Sequence, residues 1–88
     1  MPSTLKRIDS NAFWACSKLT EINFPEGLEE IGSHAFYDCA QLEKVEFPAT
    51  LKLLEESAFA SCDSLAEVTF NSNPEIGEFV FDKTKWLD

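Results

Sequence analysis

Three cysteines are the side chains in this 88-residue sequence best suited to metal or nucleophilic chemistry. Cys16, Cys39 and Cys62 recur at a constant interval along the chain. Thiolates bind zinc when four ligands converge, and structural zinc sites use paired cysteines or added histidines. Three thiols without a C-x-x-C pair make a poor zinc site. We therefore predict no metal site, and we interpret the cysteines as small buried hydrophobic residues.

The element that positions these cysteines is a sequence repeat whose period equals their interval. Residues 5–27, 28–50 and 51–73 align without a gap, and residues 74–88 form a partial fourth unit that is one residue short in its first turn. That unit repeats the spacing with Ile76, Phe81 and Leu87. We treat residues 1–88 as a single domain. Eight columns are apolar in all three complete units: Leu5/Leu28/Leu51, Ile8/Ile31/Leu54, Ala12/Ala35/Ala58, Phe13/Phe36/Phe59, Cys16/Cys39/Cys62, Leu19/Leu42/Leu65, Ile22/Val45/Val68 and Phe24/Phe47/Phe70.

Each unit is predicted to be one turn of a solenoid that gains its core by stacking on its neighbours. At the end of residues 19–24, apolar and polar residues alternate as is typical of a short strand, which predicts that Ile22 and Phe24 point inward. Pro25 ends the strand because proline offers no backbone donor. Residues 10–16 begin with the capping residue Ser10 before a helix-compatible stretch, which predicts one short helical turn.

The unit L-x2-I-x3-A-F-x2-C-x2-L-x2-[IV]-x-F-P closely resembles the BspA-like (treponemal-type) leucine-rich repeat. The resemblance implies an α/β repeat fold, namely a short right-handed leucine-rich-repeat solenoid with a small parallel β-sheet on one face and short helical turns on the other. It also implies protein binding or adhesion, and a location at the cell surface or outside the cell. Thr84 replaces the cysteine of the fourth unit, and Asn71 replaces the proline of the third.

His34 is the only histidine and therefore the first candidate for acid–base chemistry. It aligns with Asn11 and Ser57 at an outward position, where we expect it to be solvated, while the cysteine column points inward. A Cys–His nucleophilic pair is therefore not expected, and no phosphate-binding or hydrolase motif occurs. We predict no catalytic residue and no cofactor. The hypothesis of an enzymatic function would require a pH-dependent activity that is lost when His34 is replaced.

The charge of the chain narrows the classes of partner. Sixteen acidic and seven basic residues give a formal net charge of −9. A nucleic-acid backbone is repelled by such a surface, and no apolar run approaches the roughly 18 residues of a membrane-spanning helix. We expect no nucleic-acid partner and no membrane insertion.

Two surfaces are predicted to bind a protein partner of unknown identity. Outward residues of stacked strands form one continuous face, and its net negative charge favours a basic partner. This sheet face consists of Glu21, Asn23, Lys44, Glu46, Glu67 and Thr69. The second surface is an aromatic flank at Trp14 and Tyr37, since interfaces favour these residue types. The alternative is that both rings are partly buried against neighbouring coils.

The sequence therefore predicts a non-catalytic protein-interaction or adhesion module. The alternative is an architectural spacer or assembly element that self-associates through its uncapped terminal coils. In that case the apolar residues expected to lie open are Leu5, Ile8 and Phe13 at one end and Ile76, Phe81 and Leu87 at the other. An engineered minimal repeat protein is a third interpretation, against which the irregular outward residues argue.

Overall fold

The computed structural model describes residues 5–86, which form seven short strands in two parallel sheets. One sheet has the order β1-β3-β5-β7 and the other the order β2-β4-β6, so each strand pairs with its equivalent one turn later. The strands are β1 Arg7–Ile8, β2 Glu21–Asn23, β3 Glu30–Ile31, β4 Lys44–Glu46, β5 Leu53–Leu54, β6 Glu67–Thr69 and β7 Glu75–Ile76. We refer to residues 5–27, 28–50, 51–73 and 74–86 as coils 1 to 4.

The strand register confirms that the chain is a parallel solenoid. Ile22 pairs with Val45 and Val45 with Val68, so each residue lies beside its equivalent in the next repeat unit. Leu54 pairs with Ile76, a step that is one residue shorter than a full repeat. The shorter step agrees with the missing residue at the start of the fourth unit. Leu87, the last apolar residue expected in that unit, lies outside the described residues.

The third side of each coil is a run of turns, and the prediction of a helical turn there is wrong. Residues 5–86 contain no helix, and so none that could cross a membrane. Trp14 N–H donates to Asn11 C=O within the coil, but Phe13 N–H donates to Ala35 C=O of the next coil at 2.7 Å. An α-helix bonds each N–H to the carbonyl four residues earlier, whereas the Trp14 N–H bonds to the carbonyl three residues earlier. Alternate amides here turn sideways to the neighbouring coil, and Asn11 and Ala15 adopt the positive φ angles of 63° and 55° that this requires.

Phenylalanine rings stacked from coil to coil form the centre of the core. The rings of Phe13 and Phe36 lie 4.8 Å apart, and those of Phe36 and Phe59 lie 4.9 Å apart, both pairs almost parallel. Phe81 continues the stack at 5.9 Å. Phe36 and Phe59 are fully buried, whereas Phe13 at the end of the array is only half-buried. Most of the core therefore lies in the interior coils, which are covered on both sides. The prediction that Ile8 and Phe81 lie open at the ends is wrong, because both are buried, and the Trp86 ring packs against Phe81 at 4.7 Å.

An arginine joins three coils on the β1-β3-β5-β7 side. The Arg7 guanidinium donates to Glu30 at 2.6 Å and to Glu55 at 3.0 Å, and it lies 3.6 Å from Asp9. The hydrogen bonds that Arg7 donates to Glu55 and Glu30 raise the pKa of Arg7 above its ordinary value. Because the side chains remain partly solvated, this network contributes less than a buried ion pair would.

Candidate functional site

The predicted sheet face is one continuous exposed surface on strands β2, β4 and β6. The strand register places Glu21 beside Lys44 and Lys44 beside Glu67. The outward residues of all three strands are exposed, while the central residue of each strand points into the core. This alternation is the ordinary consequence of the β pleat. It brings together all six predicted residues, in two rows: Glu21, Lys44 and Glu67, and Asn23, Glu46 and Thr69.

A shallow depression of about 470 Å³ lies over the first of these rows. It adds residues that precede the strands, together with Lys85 of coil 4, which sequence reasoning did not include. The residues directly before a strand do not alternate between apolar and polar types, so the strand pattern could not identify them as part of the surface. Their equivalent positions in successive repeat units were the one feature of the sequence that could have indicated them. The lining comprises Thr20, Glu21, Glu43, Lys44, Ser64, Ala66, Glu67 and Lys85.

The charged groups of the sheet face are available to a partner. No ion pair within 4.0 Å involves Glu21, Lys44 or Glu67 in the part of the chain that the structure describes. Among residues 5–86, the Glu46 carboxylate accepts a single long side-chain hydrogen bond, 3.4 Å, from the Asn71 amide. A partner that binds here would therefore break few existing contacts, and it would meet more carboxylates than ammonium groups.

The aromatic flank is a cluster of three rings at coils 1 and 2. The ring centroids of Trp14 and Tyr37 are 4.7 Å apart, and His34 lies 5.5 Å from Trp14 and 5.3 Å from Tyr37. Trp14 is 49% exposed. Ala60, which is the equivalent of Trp14 and Tyr37 in coil 3, is buried, so the flank does not extend beyond coil 2.

The prediction that His34 is solvated is wrong in one respect. Its side chain lies on the outside of the coil, but it is half-buried against the two aromatic rings. His34 has a positive φ of 58°, the conformation that also recurs at Asn11 and Ser57. The column predicts an outward position correctly. It gives no information about which neighbouring side chains fold over that position.

The cysteine column lies in the core. The Cys39 thiol donates to the Phe13 carbonyl at 3.2 Å, and the Cys62 thiol donates to the Phe36 carbonyl at 3.1 Å. The neighbouring Cys39 thiol and burial both raise the pKa of Cys62, burial raises the pKa of the half-buried Cys16, and the neighbouring Cys62 lowers the pKa of Cys39. The raised pKa of Cys16 and of Cys62 disfavours their thiolates, the form that binds metals and acts as nucleophile. Among the described residues no group of three or more His, Cys, Asp or Glu side chains is arranged to hold a metal ion.

Comparison with known proteins agrees with this geometry. Residues 1–88 match the family described as a BspA type leucine rich repeat region (6 copies). The chain belongs to the BspA-type leucine-rich-repeat family. No curated protein is significantly similar to the sequence.

A crystal structure of another leucine-rich-repeat protein shares the fold. The leucine-rich-repeat protein of T. pallidum superposes with a TM-score of 0.62 at 25% sequence identity. The match covers 88% of this chain and 47% of the T. pallidum chain. The chain thus spans about half the length of that relative.

The two departures from the BspA-type repeat are accommodated by side-chain hydrogen bonds. The Asn71 amide donates to the Phe47 carbonyl of coil 2 at 2.8 Å, at the position where the first two units carry proline. The buried Thr84 hydroxyl, at the cysteine position, donates to the Phe81 carbonyl of its own coil at 2.7 Å. Both substituted side chains are therefore hydrogen-bonded, as a polar group in the core such as Thr84 needs to be.

Proposed function

We propose that this chain is a non-catalytic protein-interaction module that binds a basic protein surface through its sheet face. The proposal rests on the two exposed rows of side chains on β2, β4 and β6. Their charged groups form no close ion pairs among the described residues. Membership of a repeat family that builds extended binding surfaces supports the proposal. Binding at the surface of a cell, or adhesion to another one, is the setting that the family resemblance favours.

The aromatic flank extends this proposal to a second contact area. Trp14 offers a large exposed ring supported from below by Tyr37 and His34. Rigid aromatic side chains supply much of the binding energy at interfaces because they lose little conformational freedom. We assign the flank a role in affinity and the sheet face a role in charge selectivity.

Charge reversal tests the sheet face. The triple variant Glu21→Lys, Glu46→Lys and Glu67→Lys is expected to weaken binding of lysine- and arginine-rich peptides by about tenfold or more, because attraction at the face becomes repulsion. Peptides selected from a random display library on the natural chain provide the probes, and fluorescence anisotropy at constant ionic strength gives Kd.

A second triple variant controls for net charge. Glu56→Lys, Glu75→Lys and Glu78→Lys change the total charge by the same amount at exposed positions away from β2, β4 and β6. We expect this control to retain most of the affinity. Equal losses in both triple variants, or no loss in either, would rule out the sheet face as the binding surface.

Assembly through the terminal coils is the second candidate function. It is favoured by the exposed apolar side chains of coil 4, where Ile76 is 48%, Phe79 60% and Trp86 40% exposed. Exposed apolar groups gathered on one side of a small protein commonly mark a contact with another molecule. In this function the coils serve as a spacer or assembly element, and the contacts are made end to end.

A further inference from the structure

The charged side chains of the depression on the sheet face change sign from coil to coil. The strand register places Lys44 of coil 2 between Glu21 of coil 1 and Glu67 of coil 3. All three side chains are exposed, and all three line the depression. A column of negative, positive and negative groups is therefore open to a partner along the direction in which the coils are stacked.

Two further carboxylates flank Lys44 within its own coil. Glu43 directly precedes Lys44 and lines the same depression, and Glu46 is exposed on the same face of β4, two residues further along. In coils 1 and 3 the corresponding positions hold short side chains without charge, namely Thr20, Asn23, Ala66 and Thr69. The charges thus form a cross, with one ammonium group in the centre and a carboxylate on each of its four sides.

The central lysine is available to a carboxylate of a partner. Lys44 forms no ion pair within 4.0 Å among residues 5–86, although Glu21 and Glu67 are its neighbours in the sheet. An exposed pair formed by rotation of these side chains would contribute little to stability, so a partner could displace it. A uniformly basic ligand would place cations against Lys44 and against Lys85, which lines the same depression. The depression therefore favours a partner that has a carboxylate between basic groups.

The spacing of the charges distinguishes a helical partner from an extended one. Neighbouring strands lie about 4.8 Å apart, so Glu21 and Glu67 are about 9.6 Å apart across the sheet. In an α-helix, residues i and i+7 lie on one face about 10.5 Å apart, with i+4 between them. In an extended strand, side chains on one face repeat about every 6.7 Å. A strand that crosses the coils would therefore pass Lys44 with its second charge and Glu67 with its third, whereas a helix matches all three.

A helix along the stacking direction also reaches the carboxylates of coil 2. When basic residues at i and i+7 lie opposite Glu21 and Glu67, a glutamate at i+4 lies opposite Lys44. Position i+3 then lies beside i+4, on the other side of the line of contact. An arginine at i+3 faces Glu46 when the helix runs in one direction and Glu43 when it runs in the other. One short helical pattern thus meets the whole cross of charges.

We propose that the sheet face binds an α-helix of a partner protein, which lies along the stacking direction and carries basic residues at i, i+3 and i+7 and a carboxylate at i+4. This inference rests on the proposed function and names the partner of the same surface. The basic residues contact Glu21, Glu67 and one carboxylate beside Lys44, and the carboxylate of the helix contacts Lys44. Because a basic residue at i+4 is repelled by Lys44, this lysine determines selectivity.

Three synthetic peptides test the pattern on the 88-residue chain. The matched peptide is an alanine-based helix with lysine at i and i+7, arginine at i+3 and glutamate at i+4. The shuffled peptide exchanges the residues at i+4 and i+7 in the same helix, and the extended peptide carries the same four charged residues at alternate positions of a threonine-rich chain. Circular dichroism verifies each conformation, and fluorescence anisotropy at constant ionic strength gives each Kd.

We expect the matched peptide to bind about fivefold more tightly than either of the other two, because it alone pairs every charge of the cross. Equal affinity for the shuffled peptide overturns the proposed charge pattern. Equal affinity for the extended peptide overturns the helical form of the partner.

A charge swap tests the role of Lys44. Lys44→Glu makes the chain more negative, which would increase non-specific attraction of a basic peptide, whereas the proposed contact becomes a repulsion. We expect the matched peptide to bind about fivefold more weakly to this variant, and to recover when its own glutamate is replaced by lysine. Lys6→Glu, at an exposed position beside β1, makes the same change in net charge and is expected not to weaken binding. Unchanged or tighter binding of the matched peptide to the Lys44→Glu variant overturns the inference.

The triple variant Glu21→Lys, Glu46→Lys and Glu67→Lys separates this inference from the proposed function. We expect it to lose affinity for the matched peptide. If all three peptides bind the natural chain equally and the triple variant weakly, the sheet face binds basic ligands without preferring this helix, and the inference alone is overturned. Absence of binding by all three peptides also overturns the inference alone, since the peptides selected by display test the proposed function independently. Equal binding of the matched peptide to the natural chain and to the triple variant overturns both.

Discussion

Replacing Phe36 with alanine is expected to lower the free energy of unfolding by about 3–5 kcal/mol. The Phe36 ring is fully buried, stacks between Phe13 and Phe59 at 4.8 and 4.9 Å, and meets the edge of Phe24 at 5.8 Å. Its removal leaves a cavity that the stacked coils cannot collapse to fill. Since small domains are stable by only about 5–15 kcal/mol, we expect the variant to be close to unfolding at room temperature.

Urea denaturation followed by circular dichroism measures this loss. Phe79→Ala is the matched control, because it removes the same side chain at a position that is 60% exposed. We expect the control to cost less than about 1 kcal/mol, in the range of ordinary surface substitutions. A Phe36 variant as stable as the Phe79 variant would mean that the rings do not stack through the array.

Replacing Gly32 with alanine is expected to cost about 1–3 kcal/mol. A Cβ atom at this position would lie 2.6 Å from the Ser10 amide nitrogen and 2.9 Å from the Ile8 carbonyl oxygen. Both are backbone atoms of coil 1, so coils 1 and 2 would have to separate locally. An alanine elsewhere would often stabilise a protein by restricting the unfolded chain, and the close approach of the coils reverses that sign here.

Gly77→Ala is the comparison for this second prediction. Its Cβ would lie 2.9 Å from the Glu56 amide nitrogen, but coil 4 packs on a coil on one side only, among the described residues, and can move outward. The smaller strain destabilises the folded chain by about as much as the restriction of the unfolded chain stabilises it. The free energy of unfolding is therefore expected to be nearly unchanged. Thermal unfolding of both variants under identical conditions separates the two cases, and a Gly32 variant at least as stable as the natural chain contradicts the packing described here.

The sequence period predicts the stacking of the coils and the composition of the sheet face. A repeat in which each coil is covered by the next places Glu21, Lys44 and Glu67 in one row without further information. The same reasoning predicts that the cysteines lie inside. These features depend only on which residues share a column, and a column can be identified from spacing.

Features that depend on contacts between columns were missed. The sheet of β1, β3, β5 and β7 has strands too short to show alternation, each consisting of a single pair of residues. The predicted helical turn was wrong because its amides bond to the neighbouring coil, a choice that local helix propensity does not encode. The Arg7 network crosses three coils through one long side chain, and the ring cluster at His34 depends on how two neighbouring aromatic side chains fold over it.

Contacts between methyl groups of β2, β4 and β6 test the central claim most directly, namely that residues one repeat apart lie over one another. In a chain with labelled isoleucine, leucine and valine methyl groups, nuclear Overhauser effects are predicted between Ile22 and Val45 and between Val45 and Val68, with none between Ile22 and Val68. Loss of the first two contacts in a folded sample, or a direct contact between Ile22 and Val68, would contradict both the solenoid and the surface built on it.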